Sequence, residues 1–352
     1  MSKLEGNREQ ESQGASAQTR SMDWKQELTE LWHRATWTGT ATFTLPPVLF
    51  EIQPDFLVGA RLTGRAEAGA QLRFARVAVQ PIEPGMLSAS PAGPVVADAT
   101  GLAAALEQTA SAIGNGQARV GLLVPDLIVR VGVFPFDALP SNRREAATLM
   151  GWRMRENLPF PPEEARIAHQ STWPPSTAAE PQQEVTMVAV RSSVAAEFEG
   201  LVEAVNRSSD LMVPATMALL PLLSAEREGG QLLVHVYSSS ATYAVVEGQR
   251  LRFWRSRDFG GLDLEEMFTQ VAAEAARVVA STEDRLRLPL ACLWFCARPP
   301  ATPQWADQLS QALGREIQQL EPRSDLGEAL AGEDRSVFMR YGATLAGLVV
   351  NH

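Results

Sequence analysis

ARVGLLVPDLIVRVGVFPFDALPSNRREAATLMGWRMRENLPFPPEEARIAH, residues 118–169, carries its parts in a telling order. Two apolar runs rich in β-branched residues, RVGLLV (119–124) and LIVRVGV (127–133), read as strands parted only by Pro125 and Asp126. After Pro140, Asn142 with Glu145 three residues on makes a capping-box pattern. Ala146, Leu149, Met150, Met154 and Leu158 then recur at helical spacing. Pro159 biases its predecessor out of the helical region, so the helix is expected to stop at Leu158. The segment STWPPSTAAEPQQ (171–183) reads as a loop, EVTMVAV (184–190) as a strand, and Val194, Phe198, Leu201, Val202 and Val205 as one face of a further helix. Together these parts predict one inserted unit over residues 118–208.

Outward from that unit, short apolar strands alternate with amphipathic helices, which argues an α/β fold. On the N-terminal side, PPVLFEI, FLVGARL and LRFARVAV are three strands joined by short turns, followed by a helix built on Leu102, Leu106 and Ile113 and closed by Gly114. On the C-terminal side, the run 232–261 holds three strands with a turn at Glu247–Gly248. A long helix with Leu264, Met267, Phe268, Val271, Ala275 and Val278 in register comes next, then the strand LACLWFC, a helix carrying Trp305, Leu309 and Leu313, and a last apolar helix from Phe338 to Val350. Each half thus supplies a strand meander followed by helices.

The first 22 residues are polar and too poor in apolar surface to offset chain entropy, so a disordered tail is expected. Residues 23–39 predict an amphipathic helix capped by Asp23, with Trp24, Leu28, Leu31 and Trp32 on one face, expected to dock on the protein's own body. With a net charge of −10 and a pI of about 5.1, nucleic acid is not an expected partner. Cys292 and Cys296 lie in an apolar strand and read as buried thiols, and the four histidines form no metal-binding spacing. No apolar run approaches the roughly 20 residues of a spanning helix. The N-terminus lacks the apolar core of a secretory signal, so a cytoplasmic protein is expected, reaching a membrane only through partners.

The order of the quoted stretch, with its two proline-ended strands, capped helix and ENLPFPPEEA turn, resembles type IV pilus assembly proteins of the PilM type. It is similar, less closely, to the cytoplasmic domain of the type II secretion L protein. The resemblance runs from about residue 44 to 350 and includes the closing TLAGLVV. It implies an actin-like (ribonuclease H-like) duplicated fold with an inserted small α+β subdomain. The first subdomain would take residues 40–117 and 209–228, the insert 118–208, the second lobe 229–335, and a C-terminal helix at 336–352 would return to the first lobe.

In that superfamily nucleotide sits between the halves, cradled by two strand–turn–strand loops with an Asp and a Gly. The Gly lets backbone N–H groups approach phosphate, and the Asp orients metal or water. Here Glu51 stands where the resemblance puts the first Asp, and Gln53 and Pro54 where it puts Gly and a small hydroxyl residue. In the second loop His235 replaces the Asp and Tyr237 the Gly; Thr242 matches, and Ser238, Ser239 and Ser240 form the tip. Cys296, Ala297, Pro299 and Pro300 occupy the adenine-side glycine turn, while Arg255, Gly260 and Gly261 keep the family's signature before the long helix. The pattern implies a pseudo-ATPase that needs no cofactor.

The resemblance further implies a non-catalytic scaffold of a pilus or secretion inner-membrane platform. It would bind the cytoplasmic tail of a PilN-like membrane protein and work beside an assembly ATPase. Trp152, Leu158 and Phe160 are the expected groove lining. Two rival readings make other demands. An active ATPase would bind ATP and magnesium through Glu51 and Ser238–Ser240. A polymer former similar to FtsA would end in a membrane-binding tail, whereas Asn351 and His352 follow a core-type helix.

Overall fold

The computed structural model describes residues 45–64, 72–114, 119–137, 139–171, 183–224, 227–299 and 304–350. The expected tail at 1–22 and the helix at 23–39 lie outside the described residues. Two five-stranded sheets of the same topology form the two lobes, and a three-stranded sheet is inserted in the first.

In the first lobe, β1 (Val48–Ile52), β2 (Phe56–Thr63) and β3 (Arg73–Pro81) form an antiparallel meander. β4 (Arg119–Val124) runs parallel to β1, and β8 (Ser208–Pro214) parallel to β4. The helix α1 (Ala99–Ala112) starts on the Asp98 cap, whose carboxylate accepts the Gly101 N–H, and buries Leu102 and Leu106 against the sheet. The second lobe repeats the scheme with β9 (Gly230–Val236), β10 (Ser240–Glu247), β11 (Arg250–Asp258), β12 (Leu290–Ala297) and β13 (Ile317–Gln319). Its covering helix α5 (Leu264–Arg285) begins in a full capping box between Asp263 and Glu266, and α6 (Gln304–Leu313) packs beside it through Trp305 and Phe268.

The insert is smaller than the sequence predicts. β5 (Val129–Phe136), β7 (Gln183–Arg191) and β6 (Ala165–Ser171) form its sheet, with β7 in the middle and antiparallel to both neighbours. Over this sheet lies α2 (Arg143–Met154), capped by Asn142, whose side-chain oxygen accepts the Arg144 and Glu145 N–H groups. Met150 and Met154 bury against Val185, Met187 and Ala189. The α-helix ends at Met154 in a 3₁₀ turn, four residues before Leu158.

Residues 119–124, taken from sequence as part of the insert, are the central β4 of the first lobe. Val120 faces Val48 and Leu123 faces Glu51 across β1. Likewise the helix α3 (Ser192–Glu203) puts Val194, Phe198 and Leu201 into the same core as Leu102 and Leu106. A strand buried on both faces reads as one apolar run and carries no mark of its neighbours. The 3₁₀ turn Asp126–Ile128 carries the chain out of the first sheet into the insert.

The C-terminus also departs from expectation. Two helices, α7 (Gly332–Tyr341) and α8 (Ala343–Val350), replace the single helix, with Gly342 between them. The chain rejoins the first lobe before residue 336, because Leu326 and Leu330 already share its core with Leu45 and Phe338. The Phe338 ring meets Phe74 at 4.9 Å. α8 is apolar all round because it is buried all round. It lies on α4 (Ala215–Leu219) so closely that a Cβ on Gly347 would stand 2.1 Å from the Ala218 carbonyl oxygen.

Candidate functional site

The two turns that the resemblance assigns to phosphate lie at the ends of β1 and β9 and face each other between the lobes. Among the described residues, four hydrogen bonds between buried side chains cross that boundary. Tyr237 at the end of β9 donates its phenol to Glu51 Oε1 on β1 at 2.8 Å. Thr242 on β10 donates to Asp126 Oδ2, just past β4, at 2.8 Å. His235 Nδ1 meets Thr216 Oγ1 of α4 at 2.6 Å. Arg298, just past β12, donates to Thr344 Oγ1 of α8 at 3.3 Å.

Within the first lobe further bonds tie these groups together. Glu51 also accepts from Gln53 Nε2 at 3.2 Å and, through its other oxygen, from the Thr344 hydroxyl. Asp126 accepts the Thr216 N–H at 3.0 Å and the Thr216 hydroxyl. Apolar contacts close the same interface. Leu219, Leu220 and Ala343 of the first lobe share one buried cluster with Leu233, Ala244 and Cys296 of the second. The Tyr237 ring packs on His235 at 4.4 Å and on Phe56 across the boundary at 6.3 Å.

At the two positions that the resemblance gives to the loop glycines, the backbone donors are already paired. The Gln53 N–H bonds the Phe56 carbonyl at 2.9 Å, the Tyr237 N–H bonds the Ser240 carbonyl at 2.8 Å, and Pro54 has none. Both turns avoid positive φ: Asn206 and Arg287 are the non-glycine residues that adopt it among those described. At the tips the two turns come close: burial pushes the Asp55 carboxyl up, against the pull of Ser238 on the opposite lobe. Ser238, Ser239 and Ser240 are half-buried, and the Ser239 carbonyl accepts the Phe259 N–H at 2.7 Å. Gly260 and Gly261 follow in the exposed strand-to-helix turn, where Gly261 takes a φ of 88° that a side chain would resist.

Burial sets the protonation of the cluster. It pushes Asp126 up to about 6 against the pull of the Thr216 and Thr242 hydrogen bonds. It holds His235 well below the ordinary imidazole range, helped by the charge of Arg298, so the ring is neutral at neutral pH. Burial, then the charges of Glu51 and Asp126, push Tyr237 well above the usual phenol range, which keeps it a donor. The single Thr216 hydroxyl proton goes to Asp126, so His235 must carry its proton on Nδ1. Nε2 is then an acceptor without a protein partner. Burial also raises the Cys296 thiol, whose Sγ lies 3.7 Å from Arg298.

Among the described residues no group of three or more His, Cys, Asp and Glu could hold a metal ion. Nor is any described helix long and apolar enough to cross a membrane. Of the residues singled out by sequence, Glu51, Gln53, His235, Tyr237 and Thr242 come together, with the serine tip beside them. Asp126, Thr216, Arg298 and Thr344 were missed. Their signal was faint: a charge within VPDLIV, and a lone hydroxyl in each of the apolar helices PATMALL and ATLAGLVV. The three residues expected to line a groove part company. Trp152 is 59% exposed on the outer face of α2, Leu158 is half-buried against the insert's core, and Phe160 is buried.

No family model and no curated protein matches the sequence. Among solved structures, one titled as the PilM–PilN type IV pilus biogenesis complex matches with a TM-score of 0.73 at 16% identity, over 87% of this chain and 98% of that one. The fold is PilM-like. Weaker likenesses include the cytoplasmic domain of EpsL, an inner membrane component of the type II secretion system of Vibrio cholerae (TM-score 0.43, 9% identity, 75% and 93% covered). Another is the ethanolamine utilization protein EutJ of Carboxydothermus hydrogenoformans (TM-score 0.45, 10% identity, 91% and 99% covered). The two-lobed α/β fold with its inserted sheet is thus the fold of the PilM–PilN structure, and Glu51 and Tyr237 lie between its lobes.

Proposed function

We propose that this chain is a non-catalytic, cytoplasmic actin-like scaffold of a type IV pilus or type II secretion assembly platform, held at the inner membrane by the cytoplasmic tail of a PilN-like partner. One observation carries the pseudo-ATPase part of this reading: the 2.8 Å bond between buried Tyr237 and buried Glu51. The residue at the expected metal-orienting position is spent on the residue at the expected phosphate-loop glycine. Opening the cleft for nucleotide would strand a buried carboxylate, a guanidinium and an imidazole, each costly to leave unpaired. A scaffold gains from the same bonds, which hold two lobes as one surface for a partner. The partner class follows from the likeness to the PilM–PilN complex and from the exposed Trp152 on the insert.

The test is calorimetry on the full chain, with magnesium ATP in one titration and a peptide of the partner's cytoplasmic tail in the other. Peptide binding without ATP binding is the expected result. ATP binding with micromolar or tighter affinity would overturn the pseudo-ATPase assignment, and failure of the peptide would overturn the tail-binding one.

A further inference from the structure

Three arginines of the second lobe converge on one carboxylate. Glu274 of α5, its side chain only 4% exposed, accepts through Oε1 from Arg255 and Arg257 of β11, at 2.7 and 3.4 Å. Through Oε2 it accepts from Arg277, three residues along its own helix, at 2.8 Å. Arg255 and Arg257 are two apart on a strand and so share a face, the one that α5 covers. Burial by itself would push the Glu274 carboxyl up; the Arg255 and Arg277 hydrogen bonds and the Arg257 charge overcome it and hold the group below the usual range. Glu274 is therefore an anion at neutral pH.

Three cations around one anion leave an excess of two positive charges at one point of a chain whose net charge is −10. Elsewhere Arg73 with Glu328, Arg76 with Asp334 and Arg315 with Glu283 pair one to one. The guanidiniums are not enclosed with their counter-ion: Arg255, Arg257 and Arg277 are 43%, 51% and 65% exposed. Each spends one N–H on Glu274 and turns the rest of its fork to solvent. An arginine already held by Glu274 loses less rotamer freedom on taking a second acceptor, so the cluster is organised in advance.

We propose that Arg255, Arg257 and Arg277 form a docking surface for an acidic segment of a protein partner, whose carboxylates balance the charge that Glu274 leaves over. A carboxylate matches the planar fork with two parallel hydrogen bonds. A bilayer fits the surface less well. The exposed large apolar side chains there, Leu264 at the first position of α5 and Leu286 just past its end, stand apart from the arginines and supply no apolar face among them to enter a bilayer. The surface lies outside the interlobe cluster and does not depend on the function proposed above.

The experiment is fluorescence anisotropy of a labelled peptide of alternating Asp and Glu titrated with the full chain at low salt. We expect binding that weakens as salt rises and falls about tenfold in Arg257→Gln/Arg277→Gln. Arg277→Gln alone keeps the Arg255–Glu274 bond and guards against misfolding; it should lose about threefold. Glu274→Gln removes the internal competitor and should bind at least as well as the native chain, a gain that a purely structural ion network would not give. No binding, or equal binding by the double variant, overturns the proposal. So do displacement of the peptide by inorganic phosphate at equal concentration, and arginine-dependent preference for phosphatidylcholine vesicles carrying phosphatidylglycerol. The last two would give the surface to a small anion or to lipid.

Discussion

Replacing Tyr237 by Phe removes one oxygen from the most enclosed part of the cleft and leaves the ring on His235 and Phe56 in place. The lost phenol donates to Glu51 at 2.8 Å, and both residues are buried. A hydrogen bond to a carboxylate contributes about 1.5–3 kcal/mol. Glu51 keeps Gln53 and Thr344, so the expected loss is about 2 kcal/mol, or roughly 3 °C in melting temperature for a chain of this size. Tyr243→Phe is the internal standard. Its hydroxyl donates to the neutral Val271 carbonyl at 3.1 Å, and its removal should cost about half as much. The assay is thermal and urea unfolding of the native chain, both single variants and the Tyr237→Phe/Glu51→Gln pair. The pair should show a coupling of roughly 1 kcal/mol or more, because each change removes the same bond. If Tyr237→Phe melts within roughly 1 °C of the native chain, or costs the same with and without Glu51, the two side chains do not meet in solution and the closed-cleft reasoning fails.

Other outcomes follow from the same geometry. Trp152→Glu changes an exposed position, so the melting temperature should stay within roughly 1–2 °C while the partner-tail titration is lost; retained binding removes Trp152 from the groove. Asp126 sits at about 6 in the folded chain against about 3.9 unfolded, so the folded state binds the extra proton between those values. That contribution is complete below about pH 4 and is lost as pH rises through 6, about 2–3 kcal/mol in all. Native stability relative to Asp126→Asn should therefore fall by that amount between pH 4 and 7, and a pH-independent difference would refute the shift. Gly347→Ala forces a Cβ against the Ala218 carbonyl and should cost about 3 kcal/mol or more, seen as a large drop in the unfolding midpoint or as insoluble chain; a native-like midpoint would mean that α8 and α4 are further apart.

Sequence by itself determined the elements and their order. Period and cap located α2 at Asn142, and period alone located α5, because capping and amphipathicity act within a few residues. The duplicated meander and the departures at Glu51, Gln53, His235 and Tyr237 were legible for the same reason, since each turn's chemistry is written in adjacent positions. Sequence did not assign β4 to a lobe, because a strand buried on both faces gives no sign of which strands it will join. It gave Leu158 and Phe160 the same apolar character as Trp152, and only the tertiary structure separated buried from exposed. The cleft's closure belongs wholly to the tertiary structure. Thr344 lies 293 residues from Glu51 and Thr242 lies 116 from Asp126, so no local pattern links the partners. They pair because burial removes water from polar groups, and once two lobes close over them each must find its hydrogen bond in the other.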